Sequence, residues 1–507
     1  MSMGGREPAQ QLDTRPQALS RGQGGRTVLF VAGGWALFSA YRIWLAVVTY
    51  PFVWKDSLAY RAVSTHGYTS SQLWAGSRAP LTPLLLKLTH QYAHYTVAQA
   101  VIGAVAWGIL ALTACRLVPD GWRGVIVGWA VLGFATTPLV IQWDRSVLSE
   151  SPSLSALALI CAAGLWLVWR FSWVRLAVMG IAVLAYVGAR DADIWSVGVV
   201  GIAMVMVGLF KTMSGAATGP GSVFEVLRAQ GRNALGWLMT GVVLLSVALV
   251  SGWAAGASHR NVVNIEEAFE VRVFAFPDRV AWFSAHGMPD AVQIDSLAVA
   301  TPASAHSAKV VVPDLAEAQW RSLHTWFERD GELAYAWFLV THPGYTLGAP
   351  FASPPMTFNN LSGNLANYGE LGSHPLNVLG TIIDPNRFVV MVLAVVATIV
   401  AWRRMILGRH DWRFLAAFTF VGVTSMLLAW HGEGREVTRH LVEGMVEVRL
   451  GVLLLLLTAL LGEKRRLPGP AVGTTGPTSR HPDLPLLRSE ADQQAGPTRR
   501  EPRVVHP

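Results

Sequence analysis

Polar positions in this chain come in short bursts between long apolar runs. Runs long enough to cross ~30 Å of hydrocarbon recur about ten times, at 27–49, 95–117, 123–143, 152–170, 174–188, 193–210, 235–256, 387–402, 412–430 and 446–462. Each is expected to be a helix, because lipid offers no partner to a bare N–H or C=O. The pattern predicts an all-α polytopic membrane protein with a largely helical outer loop domain. A further apolar run starting at Leu84 is too short to span. It is expected to lie along the interface, with Lys87 snorkelling and Tyr92 and Tyr95 at headgroup level.

Basic residues in short loops stay cytoplasmic, so their placement sets the orientation. With the N-terminus inside, Arg26, Arg116, Arg123, Arg170, Arg175, Lys211, Arg228, Arg232, Arg403, Arg404, Arg409, Lys464, Arg465 and Arg466 all fall on one side. Five regions follow: an N-terminal cytoplasmic tail, 1–25; a transmembrane module, 26–256, with outer loops 51–94, 144–151 and 189–192; an outer domain, 257–386; C-terminal spans, 387–462, with the outer turn 431–445; and a cytoplasmic tail, 463–507. The final segment is rich in Pro, Gly, Arg and Ser and reads as disordered. Residues 1–25 carry no small-residue cleavage site after a short apolar core, so the first span is expected to be an uncleaved anchor.

Composition agrees: 52% of residues are hydrophobic and 14% charged, with 21 Trp, outside the balance of a soluble domain. The net charge of +8 is spread over membrane edges and tails instead of one patch, which argues against a nucleic-acid partner. Cys115 and Cys161 both fall in expected spans, leaving no outer disulfide framework and no CxxC metal site. No Walker loop, no GxGxxG after a strand and no GxSxG elbow is present. The excess of Arg over Lys, with abundant Ala, Gly and Trp, points to a GC-rich bacterial genome and to the plasma membrane.

The candidate chemistry lies in the outer turns. The stretch VWKDSLAYRAVSTHGY puts Asp56 just beyond the first span, followed by Tyr60, Arg61 and, after a short loop, Arg78, Pro80 and Pro83. The turn QWDRSVLSESPSL brings Asp144, Arg145 and Glu150, with Ser149 or Ser151 expected to cap the next helix and Pro152 suited to its first turn. Glu150 also suits a helix N-terminus. YVGARDADIWSV adds Arg190, Asp191 and Asp193. HGEGREVTRHLVE adds His431, Glu433, Arg435, Glu436, Arg439 and His440. These charges either pair with one another as structure or mark a functional site at one membrane face. The His and Glu spacing matches no strong ligand pattern such as HExxH, so no cofactor is assigned, although a divalent metal stays open. In the outer segment, Trp320, Leu323 and Phe327, then Leu333 and Trp337, recur at helical spacing and read as packing. Residues 348–386 read as an irregular covering loop.

Four features occur in order: an acidic residue in the first outer loop, R-x-P-L-T-P-L-L after it, W-D-R-S-x-L-S-E-S after the third span, and Arg190 before the sixth. Together they resemble the glycosyltransferase C superfamily, the integral-membrane transferases that include protein mannosyltransferases and the aminoarabinose and arabinose transferases. The resemblance covers roughly the first 210 residues. It implies a polyprenyl phosphate sugar donor, a glycan, lipid or protein acceptor, inversion at the sugar, and a site facing the periplasm or cell exterior. Asp56 is then the base, Glu150 places the acceptor or a metal, and Arg190, with Arg439 next, binds the donor phosphate. Tyr60, Arg78, Asp144, Arg145, Asp193, Glu436 and His440 are the further substrate-binding candidates. The first loop carries a lone Asp56 where many members carry an adjacent acidic pair, so a member that has lost activity stays open. A lipid-linked sugar transporter or flippase and a non-catalytic cell-wall scaffold are the rival readings.

Overall fold

The computed structural model describes residues 21–118, 121–216, 231–290, 293–294, 320–352, 392–393, 395–400, 403, 411–432 and 437–462. Among these, seven helices are long and apolar enough to cross a membrane: Gly25–Val48, Tyr92–Leu117, Glu150–Trp169, Asp193–Phe210, Leu235–Ala257, Asp411–Gly432 and Val442–Leu461. The shorter Trp173–Ala189 helix is apolar as well. The chain is an all-α polytopic membrane protein. Half of the expected run 387–402, nearly all of the expected covering loop and the whole of the expected tail 463–507 lie outside the described residues.

The expected third run is not one rod. Helix Gly121–Ala135 breaks and resumes at Pro138 with a 55° bend. Pro138 has no N–H to donate, and it forces Thr137 out of the helical region to φ −66°, ψ 150°, the restriction a proline places on the residue before it. The bend aims residues 142–149 across the end of the bundle. The last span also starts earlier than its apolar run, at Val442, and so takes Glu443 into the helix beside Glu447.

Thr27 Oγ1 donates to the Gly121 carbonyl at 3.2 Å and Arg123 Nη1 to the Leu461 carbonyl at 3.3 Å. The start of the first span, the start of the third and the end of the last therefore share one end of the bundle. Two helices of that bundle touch at backbone level. A Cβ added at Gly444 would lie 2.6 Å from Met426 Cγ and 2.7 Å from the Gly422 carbonyl oxygen. Small residues at such crossings let membrane helices approach closely. Gly444→Ala is expected to destabilise by about 1–3 kcal/mol through overpacking. Gly133→Ala, whose added Cβ meets open space, should melt at or above the wild-type temperature. Thermal unfolding in one detergent compares the two.

The helices Arg260–Arg272, Pro277–Ala285, Arg321–Trp326, Glu332–Thr341 and Pro343–Ala352 enclose their own aromatic core, centred on Phe269. Its ring lies 4.6 Å from Phe283 and 5.0 Å from Phe327. Trp320, Leu323 and Phe327 are buried there as their spacing predicts. Leu333 and Trp337 are instead exposed, at 77% and 54%, because Tyr335 and Phe338 hold the buried face of their helix. Tyr335 donates to the His431 carbonyl at 3.0 Å, and His431 Nε2 lies 2.8 Å from the Thr346 carbonyl oxygen. These bonds seat this aromatic core on the end of the Asp411–Gly432 span.

Candidate active site

The position of Asp56 is fixed by stitching between two loops. Phe52 exchanges backbone bonds with the turn: its N–H donates to the Arg145 carbonyl at 2.7 Å, and its carbonyl accepts from Val147 N–H at 2.9 Å. Ser57 Oγ then donates to the Val147 carbonyl at 2.8 Å and accepts from Trp54 N–H at 2.9 Å. The helix Lys55–Ser64 therefore begins against the turn, with Asp56 in its first turn, where a carboxylate favours the helix dipole. The turn itself is held from below by Gln99, whose Nε2 lies 2.5–3.1 Å from the carbonyls of Trp143, Asp144 and Ser146. Tyr95 donates to the Leu148 carbonyl at 2.7 Å.

Four polar segments, 51–94, 144–151, 189–192 and 431–445, meet there. Arg439 is a fork: its Nη1 donates to Asp56 Oδ2 at 2.6 Å, and its Nε donates to Glu150 Oε1. Arg78 Nη2 donates to the other Asp56 oxygen at 2.9 Å. Arg190 Nη1 donates to Glu443 Oε1 at 2.5 Å and lies 4.0 Å from Glu150 Oε1; its Nη2 is 2.5 Å from His440 Nδ1. Tyr60, buried, stacks beneath Arg78 at 5.5 Å and donates to Ser149 Oγ at 3.3 Å. Arg190, Arg439, Glu150 and Glu443 are buried, whereas the Asp56 side chain is 13% and that of Arg78 37% exposed. Access to the cluster is thus from the side of Asp56 and Arg78.

The charges set the protonation states. Burial raises the Asp56 carboxyl, but Arg439, and then Arg78 and Lys55, outweigh it and hold Asp56 below the usual carboxylate value. Burial beside Tyr60 therefore does not make Asp56 a more basic carboxylate. Its ion pairs run to Arg439 and Arg78, far from it in sequence. Burial lowers Arg190, yet the carboxylates of Glu443, Glu150 and Asp193 raise it overall, so it stays charged. Burial and then Arg190, Arg439 and Arg78 hold His440 well below its ordinary value. His440 is therefore neutral, and the contact with Arg190 makes Nδ1 the acceptor and leaves the proton on Nε2.

Other sequence candidates have different partners. Asp144 is locked to Arg42, with Nε to Oδ2 at 2.5 Å and Nη2 to Oδ1 at 2.7 Å, and it also accepts from Ser151 at 2.6 Å. Both side chains are essentially buried, and Gly103 makes room for the guanidinium, which a Cβ would meet at 2.3 Å. This pair is a brace within the bundle and not part of a substrate surface. Ser151 serves Asp144 and Ser149 serves Tyr60, so neither side chain caps the Glu150 helix. Arg145 contributes its backbone carbonyl to the stitching. Asp193 is buried and accepts from Ser153 at 3.2 Å. Lys87 donates to the carbonyls of Ser64 and His66 instead of reaching away from the protein, and Tyr95 is fully buried in the protein. Glu436 lies outside the described residues.

Glu443, Glu447, Arg42 and Arg260 enter these networks without having been singled out in the sequence. Glu443 and Glu447 are one helical turn apart in an apolar run, and Arg42 is a lone cation inside the first span. Both are legible signals of buried pairing. Glu447 accepts from Ser425 at 3.2 Å.

A divalent ion does not fit the described residues. The carboxylates of Asp56 and Glu150 are joined by a guanidinium, and no group of three or more His, Cys, Asp or Glu side chains among the described residues is arranged as a ligand set.

No family model matches the chain, and no curated protein matches it. Among solved structures it is similar to the archaeal oligosaccharyltransferase AglB from Archaeoglobus fulgidus, in complex with an inhibitory peptide and a dolichol-phosphate. The sequence identity is 11% and the TM-score 0.40. The match covers 87% of this chain and 50% of that one, so the chain spans about half the length of that protein.

Proposed function

We propose that the chain is a membrane glycosyltransferase that moves a sugar from a polyprenyl phosphate donor to an acceptor at the outer face of the plasma membrane. The observation that carries this reading is the Arg439 fork on Asp56 and Glu150, flanked by Arg78 and Arg190, at one end of the spans. In the step, an acceptor oxygen attacks the anomeric carbon and the bond from that carbon to the phosphate oxygen breaks. The phosphate departs with the electron pair, and the acceptor's proton passes to Asp56. One base and a cationic clamp on the leaving phosphate suffice. A second carboxylate nucleophile belongs to retention, and inversion does not need it.

At rest Asp56 is ionised, the right state for a base, but two guanidinium groups weaken its affinity for a proton. A donor phosphate offers those guanidiniums a bidentate alternative. Once Arg78 or Arg439 turns to the phosphate, burial acts on Asp56 with less opposition and its proton affinity rises. Donor binding thereby activates the base. Glu150 keeps one arm of Arg439, so the fork stays in register.

A transporter is less well supported, because its charged groups are expected near the midplane of matching broken-helix repeats, whereas these gather at helix ends. The experiment is binding of a short-chain polyprenyl phosphate to purified protein by native mass spectrometry. The wild-type protein should retain the lipid. Arg190→Lys, which replaces a planar fork by a point charge, should weaken retention about tenfold, ~1.4 kcal/mol. Absence of binding to the wild-type protein, or unchanged retention by Arg190→Ala at normal protein levels, overturns the reading.

A further inference from the structure

Arg260 is the first residue of the outer helix Arg260–Arg272, immediately after the span that ends at Ala257. His259 between them has φ +51°, a left-handed conformation uncommon for a residue with a side chain. That bend turns the chain out of the membrane and points Arg260 back at the candidate site. Arg260 Nη2 lies 3.1 Å from Asp191 Oδ1, in the turn that carries Arg190 and Asp193. Its Nη1 donates to the backbone carbonyl of Arg78 at 2.8 Å. The Arg260 side chain is 4% exposed. One buried guanidinium therefore joins the outer domain, the Asp191 turn and the loop whose Arg78 holds Asp56.

We propose that Arg260 is a positioning residue, a latch through which the outer domain sets the placement of Arg78 and hence the grip on Asp56. The proposal rests on the transferase reading for its purpose, though not for its geometry. The carbonyl of Arg78 is fixed by Arg260 while its side chain reaches Asp56 Oδ1, so displacing Arg260 loosens Arg78 from behind. Burial opposes the attraction between Asp191 and Arg260 and pushes each towards its neutral form, so the pair contributes placement more than stability. Hydrogen bonds from Tyr335 to the His431 carbonyl and between His431 and the Thr346 carbonyl seat the domain elsewhere, so losing the latch leaves the fold intact.

The test uses full-length protein in nanodiscs and reads Asp56 itself. Carbodiimide modifies protonated carboxyls, so the pH profile of labelling at Asp56, followed by peptide mass spectrometry, reports how firmly Arg78 and Arg439 grip it. In Arg260→Gln the Asp56 profile is expected to move to higher pH, with faster hydrogen exchange confined to residues 76–81. Asp191→Asn should give a smaller shift in the same direction, and the double variant no more than Arg260→Gln alone. Arg260→Lys, which keeps the charge near Asp191, should restore part of the wild-type profile. An unchanged Asp56 profile in a folded Arg260→Gln protein overturns the latch. So does a loss of protection spread evenly over the outer domain and the spans, which marks Arg260 as merely structural. Polyprenyl phosphate binding is measured on the same samples. A shifted profile in a protein that never binds that lipid retains the latch and removes the transferase reading.

Discussion

Replacing Arg439 with methionine is expected to destabilise the protein by about 3–5 kcal/mol, the usual effect of removing one partner from a buried ion pair. Methionine preserves much of the volume but leaves Glu150, fully buried, and Asp56, nearly so, without the guanidinium that joins them. Two carboxylates in one low-dielectric site repel, so at least one must take a proton or the turns must separate. Thermal unfolding in a fixed detergent measures the loss. Adding Glu150→Gln to Arg439→Met removes the more deeply buried of the stranded charges and should recover a large part of the stability. A single variant that melts with the wild type would show that the fork is not holding the turns together. The sign with pH follows from Asp56. Its carboxyl is depressed in the folded protein, so its stabilising contribution is complete above its unfolded value, about 4, and is lost as pH falls through the lower folded value. Acid should therefore destabilise the wild-type protein more steeply than Asp56→Asn.

The spans were legible because hydrocarbon imposes one rule on every one of them, a long apolar run closed on itself by helical bonds. Even the break at Pro138 had a visible cause in the sequence. The gathering of Asp56, Glu150, Arg190 and Arg439 could be read as charges in turns on one membrane face. Their pairing could not, because Arg439 follows Asp56 by 383 residues and no periodicity links them. Asp144 illustrates the opposite failure. It stood beside Arg145 and Glu150 as an apparent site residue, yet the lone Arg42 within the first span was waiting for it. A buried cation in an apolar run needs an anion, and that requirement was the better guide. Leu333 and Trp337 were misread because helical spacing identifies a face without saying which of two apolar faces is buried. Tyr335 and Phe338 took the core, and the sequence carries no mark of that choice. Arg260 had no local signal, since a basic residue after a span is ordinary until its partners are seen.

Asp56→Asn is expected to reduce sugar transfer by about 10²–10⁴-fold, the range over which a positioned general base acts. Asparagine keeps the shape of the side chain and can still accept from one guanidinium, so folding and retention of polyprenyl phosphate should stay near wild type. The discrimination comes from Glu150→Gln. Glu150 shares Arg439 with Asp56 but is fully buried, whereas Asp56 lies on the accessible side of the cluster, where an acceptor hydroxyl can reach it. Glu150→Gln should therefore slow transfer less than Asp56→Asn. The pH profile separates a base from a spacer. A base must be ionised, so turnover falls as pH drops through the Asp56 value. Removing Arg78 in Arg78→Gln takes away one of the cations that depress that value, so the acid limb should move to higher pH while the maximum persists at still higher pH. If Arg78 only holds the loop in place, turnover will fall at every pH without moving the limb. Near-normal transfer by Asp56→Asn in lipid, or a deeper loss in Glu150→Gln, would transfer the role of base to Glu150 and reduce Asp56 to a counter-charge for Arg439.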